Sequence, residues 1–175
     1  MSKFEPKYFA TSLDQFAKEV LPPSIYNKWG VQGLRKMNQN ILEFLDEFRH
    51  DCGVPLTVNS WSWGGTRSQS GVRDVNFYGS YSKMAESLSD HITGNALDMI
   101  STKLTAHEIR KKFIEREQYY YEKYGINFVE VSPLADDSGM SWAHFGIRVD
   151  FYGEVKYWSP KLGYVTKEKV LENKW

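Results

Sequence analysis

A mixed α+β fold, with an antiparallel sheet flanked by helices, is what this sequence predicts, and three observations carry the prediction. Leu34, Met37, Ile41, Leu45 and Phe48 recur at three- and four-residue steps and draw one apolar stripe along a helix over about 32–49. Ser12 with Gln15, and Thr105 with Glu108, have the spacing of capping boxes that open two further helices. Short apolar runs at 96–100, 128–131 and 142–151, bounded by Gly, Pro, Asn and Ser clusters, read as strands. Helices segregated from hairpin strands make an α+β domain.

In chain order, the first helix covers about 12–20 and Pro22-Pro23 stops it; the second covers 32–49. Residues 56–61 look like a strand, and 64–88 like a long loop rich in Gly, Ser, Tyr and Asn. A structureless stretch of that length is usually functional, and Phe77, Tyr78 and Tyr81 suit a binding loop. After the strand at 96–100, the helix opened by Thr105 runs to Tyr124 and ends at Gly125. The strand at 128–131 leads through a turn at 132–139 into the strand at 142–151, beside which 155–158 is expected to pair.

Composition narrows the classes. The 175 residues fit one domain, with 41% hydrophobic and 25% charged residues, as in ordinary globular proteins. Twenty-two basic and 22 acidic side chains cancel, so no overall field favours nucleic acid or an anionic membrane, and neither partner is expected. Residues 1–8 are charged and lack a signal-peptide core, and no apolar run approaches the length of a membrane span. The expectation is a monomer made in the cytoplasm. Cys52 is the one cysteine, so any metal must be held by nitrogen and oxygen.

Four histidines are available. His50 ends a helix, where a cation suits the dipole, and His107 in a first helical turn is expected to be solvated. His91 lies in a loop seven residues before Asp98, which interrupts an otherwise apolar strand. A carboxylate there is costly unless paired or metal-bound. Gly94 and Ala96 let the backbone fold closely between them. In the strand at 142–151, Phe145, Ile147 and Val149 share one face, so His144 points to the other, with Gly146 leaving room beside it. His91, Asp98 and His144 would complete a three-ligand zinc site with a fourth position for water. The competing reading is a satisfied core histidine with Asp98 paired to Arg73 or Arg148.

Ser89, His91, Gly94, Ala96 and Asp98 match every fixed position of S-x-H-x-x-G-x-A-x-D, the signature of the M15 zinc peptidases. Ser70-Gly71-Val72-Arg73 resembles that family's S-G-x-R element, and Trp142-Ala143-His144 its last ligand segment. The resemblance spans about residues 56–149. It implies the fold shared by hedgehog domains and D-alanyl-D-alanine peptidases, with a helical segment at 1–52, a metal-site core at 53–158 and a C-terminal extension at 159–175. It implies one zinc per chain on His91, Asp98 and His144, with Arg73 steadying the scissile carbonyl or a substrate carboxylate, Arg67 held in reserve. Ser89, Trp142 and Arg73 would bind substrate.

Many relatives place a carboxylate three residues before the last histidine, where Ser141 stands. The hedgehog-like branch carries a glutamate on the preceding strand, and Glu130 is similar to it; Asp136 and Asp137 are rivals. The implied activity is hydrolysis of a peptidoglycan stem peptide, as in a bacteriophage endolysin released to degrade the cell wall. A non-catalytic zinc-binding interaction module and a metal-free structural protein are the other classes.

Overall fold

Local capping signals set several helix starts. The Ser12 side chain accepts the Gln15 amide and opens α1, Leu13–Val20. Pro22 and Pro23 stop it, but they also begin α2, Pro23–Trp29, because a proline at the first helical position forfeits a donor that has no partner there anyway. The computed structural model describes residues 4–8, 12–131 and 141–175. No helix among the described residues is long and apolar enough to cross a membrane.

The helix expected over 32–49 is broken. Residues Gly30–Lys36 form a 3-10 turn, Met37 is extended, and Asn38 caps α3, Gln39–Cys52. The break falls where another segment docks: Asn38 donates its amide to the Gly94 carbonyl at 3.1 Å and its side chain to Asn95 at 2.9 Å. The apolar stripe survives the break, and Leu34, Met37, Ile41, Leu45 and Phe48 are all buried.

Residues 56–61 do not form the expected strand. Their backbone is satisfied elsewhere, Val58 by the Glu19 carboxylate and Asn59 by the Glu19 carbonyl, leaving one bridge between Thr57 and Ile100. The 64–88 stretch contains two short helices, α4 at Val75–Tyr78 capped by Asp74 and α5 at Tyr81–Glu86 capped by Ser80. The Thr105–Glu108 capping box is fully formed and opens α6, Ala106–Ile114. The helix is then interrupted before α7, Glu117–Tyr124, at Arg116, which pairs with Asp51 and lies over the Tyr119 ring at 4.3 Å.

Among the described residues, five strands follow the order β1-β3-β2-β4-β5: β1 Ala96–Met99, β2 Phe128–Glu130, β3 Ala143–Gly146, β4 Lys156–Ser159 and β5 Gly163–Val165. Two corrections apply. The segment expected to pair beside β3 pairs with β2 instead, and in parallel, so the sheet is mostly rather than wholly antiparallel. The strand expected over 142–151 ends at Gly146. Asn127 intercepts the chain there, accepting the Arg148 amide and donating to the carbonyls of Arg148 and Phe151. Val149 is consequently exposed rather than sharing the face of Phe145. The C-terminal segment adds β5 and α8, Lys167–Glu172, with Val170 and Trp175 buried.

One sheet face is covered by helices. Phe145 of β3 meets Phe44 and Phe48 of α3 at 5.6 and 5.4 Å and Phe113 of α6 at 5.0 Å. Such ring pairs contribute roughly 0.5–1.5 kcal/mol each beyond the area they bury. Leu97, Met99, Val129 and Val131 point the same way and are fully buried. By the two-residue period of a strand, their neighbours Asp98, Glu130 and His144 face the opposite side.

Candidate metal centre

Register assembles the site. Asp98 of β1 pairs with His144 of β3, and His144 pairs with Glu130 of β2. Directly opposed residues project from the same face, so the three side chains form one row across three strands. The row lies in a cleft of about 760 Å³, which Ser89, His91, Arg67, Arg73, Trp142 and Trp158 also line.

His91 reaches this row from a tight loop. Amides of Ile92, Gly94 and Asn95 turn back onto the carbonyls of Ser89, His91 and Asp90. Gly94 has φ +70°, and a Cβ there would stand 2.2 Å from the Lys36 carbonyl oxygen, so this position requires glycine on two grounds. Gly71 is constrained by close approach alone, since a Cβ would lie 2.1 Å from the Val20 carbonyl oxygen. That close approach presents the Gly71 carbonyl to His91, whose Nδ1 donates to it at 2.7 Å. A carbonyl only accepts, so the proton is on Nδ1 and Nε2 carries a lone pair.

The lone pair faces Asp98 and His144. His91 Nε2 is 3.3 Å from Asp98 Oδ1 and 3.3 Å from His144 Nδ1, and His144 Nδ1 is 2.8 Å from Asp98 Oδ1. All three residues are buried. Burial pushes the His91 imidazole below its ordinary value, more than Asp98 pulls it up, which favours the neutral ring. Burial alone would raise Asp98, but the two imidazoles beside it, His91 and His144, hold its carboxyl well below the ordinary value. His144 Nε2 is buried with no hydrogen-bond partner among the described residues, so the engaged nitrogen of that ring is the one turned to the other two groups.

A divalent ion answers this arrangement. Ligand atoms about 2.0–2.2 Å from a four-coordinate zinc stand roughly 3.3 Å apart, as both His91 spacings do, while the His144–Asp98 pair is closer at 2.8 Å. Two imidazoles and one carboxylate supply three ligand atoms and leave a fourth position open towards the cleft. These buried residues can therefore hold a metal ion.

The flanking residues have defined places. Arg73 Nη2 donates to Asp98 Oδ2 at 2.7 Å and its Nε to the Gln69 carbonyl at 3.0 Å, while its guanidinium lies 4.3 Å from the Phe77 ring. Of the partners weighed for Asp98 from sequence, Arg73 is the one in contact; Arg148 pairs with Asp90 at 2.7 Å. Burial pushes the Glu130 carboxyl above its ordinary value, and Asp98 adds to the rise against His144, Arg73 and Arg148. Asp136, Asp137 and the expected turn at 132–139 lie outside the described residues.

His50 stacks on Tyr8 at 4.4 Å. His107 is not simply solvated, because its Nδ1 donates to the Trp175 carbonyl at 3.0 Å. Phe128 and Trp158 line the cleft without having been singled out from sequence; alternation with Val129 and Tyr157 was the signal available. No family model, curated protein or solved structure matches the chain.

Proposed function

We propose that the chain is a zinc peptidase of the M15 type, with a hedgehog-like fold, that hydrolyses a peptide bond in peptidoglycan stem peptides. The observation that carries this reading is the Asp98–His144–Glu130 row, which puts a proton-accepting carboxylate on the same cleft face as the metal-binding set. The motif around His91 and Asp98 supplies the family, and with it the cell wall as the place of action.

His91, Asp98 and His144 would hold the ion. Bound there, zinc supplies a Lewis acid that polarises the scissile carbonyl and lowers the pKa of the attacking water to about 7. Glu130 takes that water's proton and returns it to the leaving amine, the role for which Ser141 has no suitable chemistry. Arg73 orients Asp98 through Oδ2, leaving Oδ1 for the metal, and adds positive charge where the carbonyl oxygen becomes negative. Ser89 and Trp142 bind substrate along the cleft wall.

The test is digestion of purified peptidoglycan by the zinc-loaded chain, with fragments read by mass spectrometry. New termini at one kind of stem-peptide bond, lost on chelation and in Glu130→Gln, are expected. Bound zinc without any peptide release would overturn the hydrolase and leave a zinc-binding interaction module.

A further inference from the structure

The row of side chains that assembles the metal centre does not stop at Glu130. Glu130 of β2 is directly opposite Trp158 of β4, and Trp158 is opposite Tyr164 of β5. Asp98, His144, Glu130, Trp158 and Tyr164 therefore stand in one line across β1, β3, β2, β4 and β5 and project from the same sheet face. One end of the line carries metal ligands and the base. The other end is aromatic.

The aromatic end is continuous with the cleft, which Trp158 and Phe128 line. The Phe128 ring stands 5.7 Å from His144, 6.3 Å from Trp158 and 6.0 Å from Phe151, and Phe151 meets Tyr164 edge-on at 5.8 Å. Ring contacts thus lead without a break from a metal ligand to Tyr164, which is 59% exposed. Exposed aromatic surface running out of a cleft is where a bound molecule can continue beyond the reacting groups.

The chemistry of the two rings narrows the ligand. Trp158 and Tyr164 carry no charge, and each combines a flat apolar face with one polar tip. Neither tip has a hydrogen-bond partner among the described residues, whereas Tyr157, on the buried face beside Trp158, donates to Glu117. A pyranose sugar matches such a surface, because its C–H face lies flat on a ring while its hydroxyl and acetamido edge accepts from an indole N–H or a phenol. Neither ring offers a carboxylate a counter-charge. Strands about 4.8 Å apart put Trp158 about 10 Å and Tyr164 about 14 Å from His144 along the row. An extended peptide covers about 3.3–3.6 Å per residue, so a sugar joined to it within about four residues of a bond at the metal reaches both rings.

We propose that Trp158 and Tyr164 form a sugar platform at the end of the cleft, binding the neutral glycan from which a stem peptide hangs and favouring peptides still attached to it over released ones. The platform rests on the peptidoglycan reading for its ligand, but its test reads binding rather than turnover.

Calorimetric titration of the chelator-treated full chain compares a stem peptide carried on an N-acetylglucosaminyl-N-acetylmuramoyl disaccharide with the same peptide merely N-acetylated. The sugar-bearing form is expected to bind roughly 10- to 100-fold more tightly, as when two rings each contribute what an aromatic pair does. Trp158→Ala should erase most of that ratio and Trp158→Phe should keep part of it. Tyr164→Ala, at an exposed position where the fold does not depend on the ring, should reduce the ratio several-fold, about one ring's share, and leave the N-acetylated peptide's affinity unchanged. Equal affinity for the two forms, no binding of the sugar-bearing form, or an unchanged ratio in Trp158→Ala and Tyr164→Ala overturns the proposal. An equal loss for both ligands in those variants also overturns it, since the rings would then only shape the cleft. Preference for the sugar-bearing form without cleavage by the zinc-loaded chain would leave the platform standing and refute the hydrolase; cleavage without that preference would do the reverse.

Discussion

His91 Nε2 and Asp98 Oδ1 face each other across 3.3 Å as two acceptors, because the His91 proton is on Nδ1, donated to the Gly71 carbonyl. A neutral imidazole and a carboxylate so placed repel unless a cation stands between them. That relationship makes the buried triad more than a polar core cluster, and it ties metal affinity to groups around the ligands.

Arg73 is the nearest such group. Its hydrogen bond to Asp98 Oδ2 leaves Oδ1 as the inward oxygen. Loss of a partner behind a metal ligand typically costs 10- to 100-fold in affinity. Arg73→Ala is expected to weaken zinc binding by roughly that factor in a competition titration, with Arg73→Lys intermediate. Unchanged affinity in Arg73→Ala would refute the orienting role.

Gly94→Ala tests the loop that delivers His91. The substitution meets a positive φ and a backbone oxygen 2.2 Å from the new Cβ, and that oxygen belongs to a segment anchored by Asn38. The cost is expected at about 2–4 kcal/mol, lowering Tm by roughly 5–15 °C for a chain of this size. A melting curve that superposes on wild type would show that the loop does not need this close approach.

Glu130 links activity and stability through pH. Its carboxyl is raised above the ordinary 4.5, first by burial and then by Asp98, so the folded chain binds this proton more tightly than the unfolded one. Its stabilising contribution is therefore full below the ordinary carboxylate range and is lost as pH rises through the raised value. Metal-free Glu130→Gln should melt higher than wild type near neutral pH, with the two curves converging as pH falls towards about 4. In the loaded enzyme the same variant should keep zinc and lose roughly 10²- to 10⁴-fold in rate. A variant that melts lower at neutral pH, or retains full activity, would remove Glu130 from both roles.

The site was more legible in sequence than the framework around it. The spacing of His91 and Asp98 alone left their pairing open; face alternation puts His144 and Glu130 on one side of their strands, and the structure brings all four side chains to one cleft. The two helix breaks were hidden because their causes are remote: Gly94 docks on Met37, and Arg116 turns to Asp51. Asn127 ends β3 through side-chain hydrogen bonds that no periodicity reports. The parallel pairing of β2 with β4 depends on which sheet edge the returning chain meets, and apolar alternation in 155–158 carries no information about that. Arg67 and Arg73 were both visible as cations near the motif. Which of them is committed to Asp98 depends on how the chain brings 58, 69 and 98 together, a long-range contact that local spacing does not encode.

Metal content measures the central claim most directly. Wild type, Asp98→Ala and His144→Ala would be loaded with zinc near pH 7.5, desalted, shown to be folded by circular dichroism, and analysed by mass spectrometry of the elements. About one zinc per chain is expected in wild type, and less than roughly a tenth of that in either variant, since two remaining ligands do not make a stable site. Stoichiometric zinc retained by both folded variants would contradict a metal centre at His91, Asp98 and His144.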